Sequence, residues 1–289
     1  MRRTLSFCLR WGVLGAMIVF LSKTLLQNWQ EVRSLELQNH AAWYAGLALG
    51  IAIVAQLWSA CVWGWVLEVF KHSVPRRWAM VTFLKSTPAK YIPGNVWHFY
   101  GRIRAAQKQG LALESATLSI LIEPLFVMAG ALGLACFHST HPWITGLSLM
   151  VILLVIHPRV LNPLWQLVRK CRGQKESTVN LEDYPLRALF GGTVFMFLRG
   201  MTFLCVVLTF SPITWETFQP LVSGFSLAWL LSMVIPAPGG LGVFEASALN
   251  VLGAQLSPGL LLGAIAVYRL VSISAEILGA GCAYLINEG

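Results

Sequence analysis

The sequence has too little charge for a water-soluble protein of its length. Asp, Glu, Lys and Arg make up 11% of the 289 residues, whereas soluble domains carry about 25%. Apolar residues make up 56%, and the mean hydropathy is +0.67. Apolar runs of membrane-spanning length recur from end to end, and no long polar stretch separates them. We therefore expect residues 1–289 to form a single transmembrane domain.

Motifs for catalysis, cofactor binding and metal binding are also scarce. Asp183 is the only aspartate, so the carboxylate pairs that membrane transferases need for metal-bound phosphates are missing. The six cysteines form no CxxC pair, and no P-loop, GxGxxG or GxSxG string occurs. His138 and His141 have no carboxylate near them in the sequence, which makes a poor metal site. We expect no enzyme activity, no cofactor and no metal.

The net charge of +9 is concentrated in short loops between apolar runs, which indicates membrane topology and argues against nucleic-acid binding. The basic loops are 1–10, 71–78, 98–113 and 158–184, and the loops poor in Lys and Arg are 28–40, 138–141 and 211–216. The first set is expected in the cytoplasm, together with both termini, and the second set outside. The expected location is a prokaryotic inner or plasma membrane.

The predicted fold is an all-α polytopic membrane protein with about six full spans and two re-entrant hairpins broken by Pro and Gly. The expected spans are 7–27, 41–70, 114–137, 142–157, 185–210 and 258–287. The expected hairpins are 79–97 and 217–256. Because basic loops flank 79–97 on both sides, that segment should leave the membrane on the side from which it enters.

The same order of span, hairpin and span occurs twice. Residues 41–137 form the first expected repeat and residues 185–287 the second, while 7–27 and 142–157 are additional spans. If the second hairpin enters from outside, the halves have opposite orientations, as in inverted-repeat transporters. The alternative for the second hairpin is that 217–235, which is long enough, crosses the membrane fully.

Two Pro/Gly strings interrupt the expected hairpins, at Tyr91–Gly94 and at Ile235–Gly242. Proline removes a backbone donor and glycine permits positive φ, so helix ends and free N–H groups suited to a phosphate are expected at these breaks. The alternative is a packing kink. The candidate headgroup-binding residues at the breaks are Lys90, Pro93, Gly94, Asn95, Arg102, Pro238, Gly239, Gly240 and Gly242.

Charged residues inside apolar segments are the second group of candidates, since a charge at the centre of a span costs about 2.5–3.5 kcal/mol on insertion scales. Arg199 and Arg269 are expected to contact the headgroup, while Glu123, Glu245 and Glu276 balance charge or carry coupling protons. Arg269 and Glu276 are seven positions apart and so share a helix face. The alternative is a set of buried ion pairs, such as Arg269 with Glu245, that only fix helix packing.

These strings resemble the lysylphosphatidylglycerol synthetase-type transmembrane domain family, the flippase half of multiple peptide resistance factor proteins. The similar pieces are Lys90-Tyr-Ile-Pro-Gly-Asn-Val-Trp97, Arg102, Gly110, Glu123, Pro236-Ala-Pro-Gly-Gly-Leu-Gly-Val-Phe-Glu245, Arg269 and Gly279, within residues 10–287. The resemblance implies lipid translocation between leaflets. It does not extend to the soluble aminoacyl-transferase domain of the full-length relatives. Many members have arginine after the glutamate at the Glu123 position, whereas this chain has Pro124.

The expected function is that of a lipid or glycolipid flippase without its own ATPase. Its substrate would be a membrane phospholipid or a lipid-linked glycan with an anionic, phosphate-bearing headgroup. Two alternatives stay open: a secondary transporter of a small anionic solute, and a non-transporting membrane partner of an envelope or glycosyltransferase complex. Self-association and a partner enzyme of lipid or glycan synthesis also stay open.

Overall fold

The computed structural model describes residues 23, 26–27, 29–70, 72, 74–91, 96–139, 141–171, 180–235 and 242–287. Within these ranges every regular element is a helix, which confirms the predicted all-α class. In chain order the helices are α1 (Trp29–Arg33), α2 (Ala41–Val69), α3 (Arg76–Ser86), α4 (Trp97–Lys108), α5 (Leu113–Ala135), α6 (Pro142–Ile156), α7 (Pro158–Cys171), α8 (Leu186–Val207), α9 (Trp215–Val234), α10 (Val243–Leu252) and α11 (Pro258–Asn287). Two 3₁₀ turns, Thr87–Tyr91 and Cys136–His138, extend α3 and α5.

The described part of the chain has the helices of a multi-pass membrane protein. Five of them, α2, α5, α8, α9 and α11, are long and apolar enough to cross a bilayer. A sixth candidate is the pair α6 and α7, which is bent by 69° at its break. The predicted span 7–27 lies outside the described residues, apart from 23, 26 and 27.

Helix α7 occupies the first part of the region that the sequence treats as a basic loop. Its apolar residues recur at helical spacing, which accounts for a helix at this position. The Trp165 indole N–H donates to Glu114 Oε1 at 2.5 Å, and Arg169 forms an ion pair with the same carboxylate. These contacts fix α7 against the first turn of α5.

The two halves share an order of elements, although their broken segments have unequal arms. A helix, a broken pair and a helix form the order α2, α3–α4, α5 and again α8, α9–α10, α11. Helices α3 and α4, with 11 and 12 residues, are about 16–18 Å long and too short for a core of about 30 Å. Helix α9, with 20 residues, is about 30 Å long. The opposite orientation of the halves and the re-entrant course of the broken segments stay predictions.

Helix α8 lies at the centre of the helix packing, against α2 on one side and α5 on the other. It crosses α5 at two glycines. A Cβ atom on Gly130 would lie 2.6 Å from Thr193 Cα, and one on Gly192 would lie 2.6 Å from the Phe126 carbonyl oxygen. Small residues permit such close approach of two backbones, which is how membrane helices gain packing contacts without a hydrophobic drive.

We predict that Gly130→Ala destabilises the protein by about 1–3 kcal/mol, because its methyl group must push the two backbones apart. Gly133→Ala, three positions along α5, is the matched control, since a Cβ there meets nothing within 4 Å. Thermal unfolding of both purified variants in detergent measures the difference. Equal midpoints for the two variants would contradict the close crossing.

Candidate functional site

Two opposite charges lie near the middle of α11. The helix runs from Pro258 to Asn287, so its midpoint falls between residues 272 and 273. Arg269 and Glu276 are each about 5 Å from that midpoint along the axis. Because they are seven positions apart, they point from the same face of the helix.

Glu276 binds the flank of the first break. Lys90 Nζ donates to Glu276 Oε1 at 2.6 Å, and Glu276 is only 4% exposed. Lys90 belongs to the 3₁₀ turn that follows α3, immediately before the Pro/Gly string. The ion pair therefore fixes the end of α3 and its 3₁₀ turn, which form the first arm of the broken segment, to the middle of α11.

Arg269 binds the flank of the second break. Its Nε donates to Glu245 Oε1 at 2.6 Å, and the other oxygen of Glu245 accepts from the Gly242 backbone N–H at 2.7 Å. Gly242 has a φ of 82°, a conformation that favours glycine, and it precedes the first residue of α10. Glu245 thus caps α10 and joins it to α11. The residues next to the two breaks consequently contact the same face of α11, at Glu276 and at Arg269, which are about 10 Å apart along the helix axis.

Arg102 and Glu123 form a third pair, in which both residues are buried. Arg102 Nη1 lies 3.1 Å from Glu123 Oε2, and Glu123 is one residue from the middle of α5. The guanidinium also lies 3.7 Å from the centre of the Phe83 ring, and its Nε donates to Ser86 Oγ at 3.2 Å. Arg102 is 5% exposed. These contacts join α4 to α3 and α5.

Arg199 differs from the three cations of this site that form ion pairs. It lies in the middle of α8, with its guanidinium 4.9 Å from the centre of the Tyr268 ring. Its buried Nε has no hydrogen-bond partner, and among the described residues no carboxylate forms an ion pair with it. Its charge also acts on Lys90 and Tyr91, which places it close to the Lys90–Glu276 pair.

Unpaired polar atoms surround Arg199. The Tyr268 hydroxyl and Glu276 Oε2 are buried and have no hydrogen-bond partner within the described ranges. We name Lys90, Arg199, Tyr268, Arg269 and Glu276 the central niche. Buried polar atoms are nearly always satisfied by protein, water or a ligand, so these three atoms are candidates to bind a ligand.

The charges that the site brings together, which are buried or partly buried, do not balance within the described chain. Four cations, Lys90, Arg102, Arg199 and Arg269, face three carboxylates, Glu123, Glu245 and Glu276, which leaves one positive charge in excess. An uncompensated charge at this depth is costly. An anion of one negative charge beside Arg199 would remove the excess.

Several residues predicted from the Pro/Gly strings, Pro93, Gly94, Asn95, Pro238, Gly239 and Gly240, lie outside the described residues. Glu68, which the sequence places at the interface, forms a half-exposed pair with Arg187 at 3.1 Å, apart from the central niche. Sequence reasoning missed Tyr268. Its signal was available, since a phenol next to Arg269 and one turn before Ser272 belongs to the polar face of α11.

No group of three or more His, Cys, Asp or Glu side chains that could hold a metal ion occurs among the described residues.

A scan against protein-family models finds no match for this chain, and a search of curated proteins finds no match either. The resemblance carried by the strings around Lys90 and Glu245 stays a prediction.

We predict that Glu123→Gln lowers the free energy of unfolding by about 3–5 kcal/mol, because the Arg102 guanidinium loses its buried counter-ion. Glu68→Gln is the matched control, since the exposed pair with Arg187 contributes about 0–1 kcal/mol. Denaturant unfolding in mixed micelles measures both values.

The double variant Arg102→Met/Glu123→Gln is expected to regain most of the loss, because it leaves no charge unpaired. Failure of the double variant to recover stability would show that the cost comes from packing around Phe83 and not from the charge.

Proposed function

We propose that the chain is a flippase that moves an anionic, phosphate-bearing lipid headgroup between leaflets without an ATPase of its own. The observation that supports this most directly is Arg199, a partly buried cation near mid-helix whose buried Nε has no hydrogen-bond partner and which forms no ion pair in the described chain. A headgroup phosphate supplies the missing negative charge and accepts from guanidinium, ammonium and hydroxyl donors. The lipid is a phospholipid or a lipid-linked glycan.

The two cations nearest the phosphate have different tasks. Arg199 holds the phosphate, because its donors are not committed to a carboxylate in the described chain. Lys90 leaves Glu276 and turns to the phosphate, since both lie within reach of its long side chain. Breaking that ion pair releases the end of α3 from α11, which couples headgroup binding to movement of the first arm.

Glu276 then balances charge. With the phosphate bound, the two cations Lys90 and Arg199 face two anions, the phosphate and the Glu276 carboxylate, so the site is neutral whichever anion Lys90 contacts. The pairs Arg269–Glu245 and Arg102–Glu123 keep their partners and position the arms.

A lipid path favours the flippase over a transporter for a small water-soluble anion. Leu270 and Ile277, the residues that follow Arg269 and Glu276, are 65% and 61% exposed. On a spanning helix such apolar side chains face lipid. On α11, the residues of the central niche are therefore next in sequence to residues that face the acyl chains. The tails of a lipid can stay in the bilayer while its headgroup crosses through the niche.

The resemblance to the lysylphosphatidylglycerol synthetase-type transmembrane domain family points to the same activity. The proposal keeps the predicted setting, a prokaryotic inner membrane with both termini in the cytoplasm. A non-transporting partner of an envelope complex is the remaining alternative. It differs from the proposal in one measurable respect, since the purified protein alone would then move no lipid.

We predict that Arg199→Gln slows translocation by about 10- to 100-fold, the loss of one charge-assisted contact, without lowering the unfolding temperature. Fluorescent phosphatidylglycerol in proteoliposomes, quenched by dithionite added outside, measures the rate. Arg187→Gln, the same substitution on α8 at a half-exposed position, is the matched control and should keep the wild-type rate.

A wild-type rate in the Arg199→Gln protein would remove the proposal. Uptake of labelled inorganic phosphate by the same proteoliposomes, with no lipid movement, would favour the small-solute transporter. Arg269→Ala and Glu245→Ala also bear on the proposal, yet they uncouple α10 from α11 and so need a folding control.

A further inference from the structure

A cavity outside the central niche lies between the two short helices α3 and α4 and the end of α11. Its volume is 780 Å³, which is within the range of ligand sites, about 300–1,000 Å³. We name it the α3–α4 groove. Its basic lining residues are Arg77, Lys85 and Lys108, its largest apolar lining residues are Trp78, Val81 and Ile286, and no carboxylate lines it.

The groove leads toward the first break. Ser86 and Gly101 line its inner end, where a Cβ on Gly101 would lie 3.8 Å from Ser86 Cβ. Arg77 lies nine positions before Ser86, so it lies about 13 Å along α3 from that end. Lys90 follows Ser86 by four residues and is bound to Glu276 in the central niche. The groove and the niche are therefore consecutive along the first arm.

The cations of the groove are held by neutral groups. Lys85 Nζ lies 4.5 Å from the centre of the Tyr284 ring, and Arg77 Nη2 donates to the Ile286 carbonyl at 2.9 Å. Neither residue, nor Lys108, forms an ion pair within the described chain. Arg77 gives one of its five N–H donors to the last turn of α11, whereas neither Lys85 nor Lys108 donates a side-chain hydrogen bond within the described chain, so the two lysines are the freer cations.

We infer that the α3–α4 groove is the loading site for the headgroup of an anionic glycerophospholipid taken from the leaflet on the side of the basic loops. The inference rests on the proposed function and names where the headgroup binds before it reaches Arg199. The phosphate lies between Lys85 and Lys108. One acyl chain runs outward along Trp78 and Val81. A free phosphate ion would leave these two apolar side chains uncovered, which favours a lipid as the ligand.

Photo-crosslinking tests the assignment. The probe is phosphatidylglycerol with a diazirine on one acyl chain, added to the full-length protein in lipid nanodiscs, with labelled peptides identified by mass spectrometry. We expect label on residues 76–86 and 97–108. Lys85→Glu reverses one charge and Gly101→Phe fills the groove without touching a charge, so each should reduce that label about tenfold.

Two matched controls should keep the label. Arg104→Glu reverses a charge on α4 outside the groove, and Gly46→Phe adds the same ring to α2 at a position with nothing within 4 Å. Equal labelling of wild type and all four variants, or label elsewhere only, would overturn the inference. Competition distinguishes a lipid headgroup from free phosphate as the ligand. Dioctanoyl phosphatidylglycerol should displace the probe. Displacement by inorganic phosphate at the same concentration would overturn the lipid assignment.

Failure of the loading site and failure of the proposed function give different results. Groove labelling that follows the expected pattern in a protein that moves no lipid would uphold the binding site and reject the flippase. Translocation at the wild-type rate in Lys85→Glu and Gly101→Phe would uphold the flippase and reject this loading site.

Discussion

Arg269 and Glu276 on one face of α11 impose the constraint on which the site depends. Each charge lies near the centre of a long apolar helix, where an ionised side chain is costly in a bilayer. Each therefore needs a partner at the same depth, and the partners Glu245 and Lys90 come from different halves of the chain. Both partners lie beside a helix end, Lys90 in the turn after α3 and Glu245 in the first turn of α10. Each broken segment thus supplies the counter-charge for one residue of α11.

The buried charges divide into pairs that fix structure and a group that is left incomplete. Glu245 accepts from the Gly242 N–H as well as from Arg269, so it holds a helix end in place. Such pairs agree with the alternative interpretation, in which ion pairs between helices only fix their packing. Arg199 does not fit that alternative, because it forms no ion pair in the described chain and its buried Nε has no hydrogen-bond partner there. Arg199 is accordingly the charge that helix packing leaves for a ligand.

Much of the fold follows from the sequence, whereas the pairing of charges does not. The apolar runs 41–70, 185–210 and 258–287 predict α2, α8 and α11 to within a few residues, because length and hydropathy suffice for spanning helices. The pair of Arg269 with Glu245 could be named in advance, since both belong to one repeat. The partner of Glu276 could not, because Lys90 is 186 positions away and only tertiary packing brings them together. The sequence also could not show that Arg102 has a carboxylate partner whereas Arg199 has none in the described chain. The contacts of Arg102 with Glu123 and Phe83 depend on how α3, α4 and α5 pack.

The central claim is that the charged face of α11 lies near the middle of the bilayer, and its depth can be measured directly. Spin labels at Leu270 and Ile277, the lipid-exposed neighbours of Arg269 and Glu276, report depth without altering any charge of the niche. With the native cysteines replaced, collision rates with oxygen and with a water-soluble nickel complex give that depth in liposomes. The account predicts high oxygen and low nickel accessibility at both labels, within about 7 Å of the midplane. Nickel accessibility typical of headgroups at either label would contradict it.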